Sequence, residues 1–329
     1  MNKSLARRSA LAAAAASLLV LAGCGGDDGG GGAGPDGDRL SVVAGFYPLE
    51  WAAERIGGDR IDVSSLTTPG AEPHDLELTP RDVAGVSDAD LLVYLGGFQA
   101  AVDEAAESQA GDHAWDAAEA ANLSLTSEGH DHEHEGEEEH AEEEHAEEEG
   151  HTEGEESTDP HFWLDPTRLA DVGDALAEQL TELDPEGADT YEENAAALRA
   201  DLESLDQEMS EGLSGCAVDT LVSSHEAFGY LGERYGLEVV GISGLSPSTE
   251  PSPAQLAEIS ALVAERGVTT VYTETLVDPA IAETVADEAG VRTAVLDPLE
   301  GLTDESAGDD YLAVMRANLA VLQAGQSCS

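Results

Sequence analysis

Lysine is all but missing from this chain. Its 329 residues carry 13 basic side chains against 70 acidic ones, a formal net charge of −57. Lys3, Arg7 and Arg8 lie in the first two dozen residues, so everything after them has arginine as its one permanent cation. From residue 24 onward the net charge is about −60. Such a chain repels phosphate backbones and anionic surfaces, which excludes nucleic acid as a partner and makes cations natural ones. A lysine-free acidic surface also fits a salty habitat or a GC-rich genome, so the global charge is not itself a site. Cysteine is scarce as well, with three in the whole chain. Long apolar runs are limited to ALAAAAASLLVLAGC, residues 10–24, which is too short to span a bilayer comfortably. The motif H-E-x-x-H is absent, since position 229, four residues after His225, is glycine.

What is present organises the chain. The basic N-terminus, the apolar run and the small residues before Cys24 read as a signal peptide over residues 1–23. LAGC resembles a bacterial lipobox, which implies cleavage before Cys24 and its lipidation; Arg7-Arg8 leaves twin-arginine export open beside the general route. Residues 24–38 are a glycine-rich tether that builds no core. Together these describe a protein held outside a membrane by lipid. Cys216 and Cys328 then remain as an even pair in an exported chain, a candidate disulfide, with two unrelated thiols as the alternative.

From residue 39 the pattern alternates. Strands read at 40–45, 60–67 and 90–96, and helices at 48–58, 79–89 and 98–110, which suggests βαβ units on a mostly parallel sheet. A helix opens at Asp165-Pro166. The stretch 185–214 keeps Leu198, Leu202, Leu205 and Met209 at helical spacing and suits a strut about 40 Å long. Alternation restarts with strands at 217–223, 237–241, 268–272 and 291–296, and helices at 226–235, 253–266, 279–289 and 305–324. The expected fold class is α/β: two α/β lobes with mostly parallel sheets, 39–184 and 215–329, joined by one long helix over 185–214.

One segment breaks the periodicity. Residues 128–158 read as a disordered acidic loop in which His130, His132, His134, His140, His145 and His151 sit among 16 carboxylates. It serves either as a solvating linker or as a weak collector of cations; glutamate alone would suffice for the first. Three other histidines stand where chain elements meet: His74 in PGAEPHDLELTP, His161 in DPHFWLDP and His225 in SSHEAFGYL. Asp297 in LDPLEG follows a strand, as ligand-bearing residues do in α/β sheets. Three imidazoles and a carboxylate form a chemically coherent zinc site. Glu274 in VYTETL is a candidate to orient a ligand imidazole or a structural acid. Phe162 and Trp163 read as core, and His113 as surface.

PHDLELTPRDVAGVSDADLLVYLG, DPHFWLDP, SSHEAFGYL and LDPLEG, in this order from about residue 40 to 324, resemble the metal-binding solute-binding proteins of bacterial ABC importers, and the zinc branch in particular. The resemblance implies two α/β lobes joined by one rigid helix, with one metal in the cleft between them, held by His74 and His161 from the first lobe and His225 and Asp297 from the second. In manganese-preferring members glutamate stands at the position of His225, in line with ligand softness. Some zinc-branch members carry an acid just before the first histidine; Pro73 stands there here, which leaves Asp297 or water as the fourth ligand. The resemblance further implies an extracytoplasmic, monomeric, non-enzymatic Zn2+ receptor working with a membrane permease. Its histidine-rich loop would raise the local metal concentration near the cleft. The alternatives are a manganese or iron receptor on the same scaffold, a zinc hydrolase, and a surface adhesin.

Overall fold

The structure is a computed structural model that describes residues 39–127 and 157–329. The signal peptide, Cys24, the tether and the six histidines of residues 130–151 lie outside the described residues. Among the described residues no helix is long and apolar enough to cross a membrane.

The first lobe begins with β1 (Leu40–Ala44), α1 (Tyr47–Gly57), β2 (Ile61–Ser65), α2 (Pro80–Asp88), β3 (Leu91–Tyr94) and α3 (Ala100–Ala105). Ala106–Ala110 continues α3 with a wider turn, and β4 (Ala114–Asp116) and α4 (Ala118–Ala121) follow. Its four strands pair in parallel in the order β2-β1-β3-β4. Thr79 caps α2 in a reciprocal capping box with Asp82, and Pro80 sits in the first turn, where its missing N–H costs nothing.

Strands β5 (Thr126–Ser127) and β6 (Ser157–Thr158) pair antiparallel and bring the two ends of the histidine-rich segment together. Then α5 (Pro166–Leu183) opens on Asp165, whose carboxylate accepts from Thr167 N at 2.8 Å.

The connecting element is α6 (Ala188–Leu213), 26 residues and therefore about 39 Å long. Tyr191, Ala195, Leu198, Leu202, Leu205, Met209 and Leu213 are its buried stripe, at the spacing the sequence displays. It packs on α1 and α5 on the first-lobe side and on the last helix on the second-lobe side.

The second lobe comprises β7 (Thr220–Ser223), α7 (Gly229–Tyr235), β8 (Glu238–Gly241), α8 (Pro253–Arg266), β9 (Thr270–Thr273), α9 (Ala280–Ala289), β10 (Arg292–Val295) and α10 (Tyr311–Gly325). Its parallel sheet has the order β10-β9-β7-β8. Strand order reverses between β7 and β9, so the crevice beyond their carboxyl ends is where α/β sheets place ligands. A disulfide joins Cys216, just after α6, to Cys328, just after α10.

One apolar cluster runs through both lobes. Trp163 and Tyr311, both fully buried, lie within it, and Tyr311 Oη donates to Trp163 O at 2.5 Å. Smaller clusters around Leu92 and Val271 fill the other faces of the two sheets.

Candidate metal centre

Four loops deliver one side chain each to a common point. His74 follows β2; its loop is held where Gln99 Nε2 donates to Pro73 O at 3.3 Å and to Thr67 Oγ1 at 3.0 Å. The carboxylate of Glu72 accepts from the backbone of His74 and Asp75, and burial pushes that carboxyl up. His161 stands just before α5 and is fully buried. His225 follows β7 and Glu300 follows β10; both are fully buried.

The donor atoms converge closely. His74 Nε2 lies 3.3 Å from His161 Nε2, and His161 Nε2 lies 3.4 Å from His225 Nε2. Glu300 Oε1 lies 3.2 Å from His74 Nε2 and 3.1 Å from each of the other two. A tetrahedral ion with bonds of about 2.05 Å separates its ligand atoms by about 3.3 Å. Five of the six donor–donor distances, all but His74–His225, are within 0.2 Å of that value, and all four atoms lie within 4.8 Å of one another. Together, His74, His161, His225 and Glu300 offer three nitrogens and one oxygen.

Outer partners fix two of the rings. Asp159 Oδ1 accepts from His161 Nδ1 at 2.8 Å and from His161 N at 2.9 Å. Glu274 holds His225 in the same way, with one oxygen on Nδ1 and the other on the backbone N at 3.0 Å. With Nδ1 donating outward, each Nε2 presents its lone pair to the centre. Phe98 sets its ring edge-on to His74, 4.7 Å between centroids, and Trp163 lies beside His161, walling the site with apolar surface.

The electrostatics follow from this packing. Burial opposes charging of His161, but its bonds to Asp159 and Glu300 outweigh burial and raise its pKa above the ordinary 6.5. Burial likewise opposes charging of His225, and the negative charges of Glu274 and Glu300 raise it well above that value. Burial pushes Glu300 up, yet the His225 charge and the bonds from the three histidines hold it well below 4.5. The same carboxylates that would balance a metal thus favour protonation of these imidazoles, so proton and metal compete for the same nitrogens.

Asp297, expected from the sequence as the fourth ligand, is not brought into this group; Glu300 stands there instead. The Asp297 carboxylate is used by its own turn: Oδ1 accepts from Leu299 N at 2.8 Å and Oδ2 from Ser306 Oγ at 2.7 Å. Asn318 grips its backbone from α10, at 3.0 Å and 2.7 Å. These bonds hold Leu299 at φ 59°, a left-handed conformation costing a branched residue about 1–2 kcal/mol. The reversal aims Glu300 inward. The signal was present in LDPLEG, where a second acid follows the first by three residues.

Glu274, read as a candidate to orient a ligand, is hydrogen-bonded to His225, and the equivalent role of Asp159 was missed although DPH places it two residues before His161. Phe162 and Trp163 are core, and His113 is exposed.

Comparison with known proteins agrees with this geometry. The family model ZnuA, "Zinc-uptake complex component A periplasmic", matches residues 42–325. The high-affinity zinc uptake system protein ZnuA of Bacillus subtilis is 37% identical over 290 residues, covering 87% of this chain and 88% of that protein. The zinc-binding protein AdcA of Streptococcus pyogenes serotype M3 is 36% identical over 289 residues, covering 87% of this chain and 56% of AdcA. The chain thus spans about half the length of the AdcA relatives it matches. Zn(II)-bound AdcA from Streptococcus pneumoniae superposes with a TM-score of 0.69 at 34% identity, covering 88% of this chain and 58% of that one. Two parallel-sheet lobes on a long helix, with three histidines and a glutamate between them, accompany a family match over nearly the whole described chain, and the chain belongs to the ZnuA family.

Proposed function

We propose that this protein is an extracytoplasmic receptor that captures Zn(II) between its lobes and delivers it to the permease of an ABC importer, anchored by lipid on Cys24. The observation that carries this reading is the convergence of three imidazole nitrogens and one carboxylate oxygen within 4.8 Å of one another, five of the six pairs at 3.1–3.4 Å, in a largely buried site. His74, His161, His225 and Glu300 are the ligands in this reading. Zinc is cargo, and no chemistry is performed on it. Four protein ligands leave no open position for a substrate, which disfavours a hydrolase. Three borderline nitrogens with one oxygen favour zinc over manganese. The export signal, the lipoprotein name of some relatives and the periplasmic family description support the location.

Zinc competes with protons for the same lone pairs, so its affinity depends on pH. In the metal-free fold, the His161 and His225 ion pairs contribute stability that is complete below pH 6.5 and lost as pH rises through their raised pKa values. The Glu300 contribution is present above pH 4.5 and lost as pH falls through its depressed value. Zinc affinity runs opposite to the histidine terms. It should fall as pH drops, with the decline beginning above 6.5, by about one decade per pH unit where one proton is displaced and about two where both are. Competition with a chelator between about pH 6 and pH 8, corrected for the chelator's own protonation, measures it. An affinity constant over that range would contradict the three-histidine site.

In the same reading His130, His132, His134, His140, His145 and His151 bind further zinc weakly. Their many neighbouring carboxylates, with no fixed set of ligands in the sequence pattern, imply micromolar or weaker affinity that falls in high salt. Zinc titration of the full chain and of a variant lacking residues 128–156 tests both parts. The deletion variant is expected to keep one tight zinc and lose the weaker ones. Loss of tight binding would place the cargo site in the segment, and one zinc in both forms would make the segment a linker only.

A further inference from the structure

We propose that Tyr230 is a positioning residue through which docking of the second lobe sets the orientation of the His161 ring, so that holding the metal and holding the lobes together are one event. This rests on the zinc-receptor reading of the same site. Tyr230 belongs to α7 of the second lobe, and its side chain is fully buried. Its hydroxyl crosses to the first lobe. It accepts from Ser124 N at 3.1 Å and Leu125 N at 3.3 Å, and donates to Asp159 O at 3.1 Å. One donor and two acceptor positions are thereby all used. Asp159 is the residue whose carboxylate holds both His161 N and His161 Nδ1.

A second contact acts at the same place. A Cβ on Gly229 would lie 2.4 Å from Asp159 Oδ2, so the bare backbone of the second lobe seats against the free oxygen of that carboxylate. Asp159 is therefore touched by the second lobe at its carbonyl and at its side chain while it orients a first-lobe histidine. The tyrosine ring is itself fixed by Arg168, whose guanidinium lies 4.5 Å from the ring centroid. Arg168 also donates to Ala121 O, Asn122 O and Ser124 Oγ of the first lobe and to Glu233 of the second.

The physical consequence is a coupling. If the lobes separate, Ser124 N–H, Leu125 N–H and Asp159 C=O lose a buried partner together. The Asp159 carboxylate then loses its anchoring, and with it the hydrogen bond that keeps His161 Nδ1 protonated and Nε2 facing the metal. Conversely, a metal on His161 Nε2 strengthens the Nδ1–H bond to Asp159 and favours the docked arrangement. Release to a permease that parts the lobes would thus begin at His161.

Tyr230→Phe keeps the ring and removes the crossing hydroxyl. Tyr272→Phe is the control, since that buried hydroxyl bonds Gln326 at 2.9 Å, away from the metal group. Zinc dissociation into excess chelator and the visible absorption of the Co(II)-loaded protein are measured for both and for the unaltered chain. Tyr230→Phe is expected to speed zinc dissociation about tenfold or more and to alter the Co(II) bands, while Tyr272→Phe changes neither, although each loses one buried hydroxyl. If Tyr230→Phe does not fold, Gly229→Ala decides, because its methyl pushes on Asp159 while leaving the hydroxyl; the same two changes are expected. Unaltered zinc release and Co(II) bands in the variant that folds would overturn the proposal. Failure of the unaltered chain to bind zinc tightly would instead overturn the receptor reading beneath it.

Discussion

Glu300→Ala is expected to weaken zinc binding by about two to three decades, whereas Asp297→Asn is expected to weaken it by no more than about one. Structural zinc sites carry about 10–16 kcal/mol over four ligands, so one ligand accounts for about 2.5–4 kcal/mol. Glu300 also supplies negative charge against the cation, and its Oε1 stands 3.1–3.2 Å from the Nε2 atoms of all three imidazoles. Its removal costs both a bond and that charge. Asparagine at 297 retains Oδ1 as acceptor for Leu299 N, while its Nδ2 replaces the oxygen that accepts from Ser306 Oγ and can donate to that hydroxyl instead, so the turn presenting Glu300 persists with weaker hydrogen bonds. The two variants separate the ligand from the residue that aims it. Calorimetric titration in a competing chelator reads both, and equal losses would contradict the assignment.

Loss of the disulfide is the second large effect. Cys216 and Cys328 are 112 residues apart, and the bond closes a loop containing the whole second-lobe sheet. In the chain-entropy account, a loop of about 100 residues restrains the unfolded chain by about 4.7 kcal/mol. The double variant Cys216→Ser, Cys328→Ser is expected to lose about 4 kcal/mol of stability in denaturant unfolding, against one or two for an ordinary buried substitution. The metal donors all lie elsewhere, so zinc affinity of the folded variant should stay within about threefold of the parent. A midpoint unchanged by the double substitution would show that the bridge does not restrain the unfolded chain.

Much of the fold was legible because its information is local. The apolar strands and the capped helices carry their own periodicity and end signals, so α2 begins at Thr79-Pro80 and α8 ends at Gly267 as the residues suggest. Strands β5 and β6 were not legible. Each has two residues, and their pairing spans the whole histidine-rich segment, which no window of sequence reports. Strand β4, three residues long, is defined by its parallel partner β3 rather than by its own pattern. At the site, the three histidines stood out by residue type and by position between elements. The fourth donor did not, because choosing between Asp297 and Glu300 depends on a backbone reversal at Leu299. An aspartate that bonds a backbone N–H two residues on is a turn former, and that property assigns Asp297 to the scaffold. Asp159 and Glu274 show the same limit: their function lies in which imidazole nitrogen they face, a matter of angles set by the folded lobes.

In the zinc-receptor reading one zinc is held between the lobes by His74, His161, His225 and Glu300. Anomalous diffraction at the zinc edge from crystals of the zinc-loaded protein tests it most directly. The expected result is a single strong peak about 2.0–2.2 Å from three imidazole Nε2 atoms and one Glu300 oxygen, with Asp297 outside bonding distance. A peak bonded to Asp297 or lacking any of the three histidines, or no peak between the lobes, would contradict it.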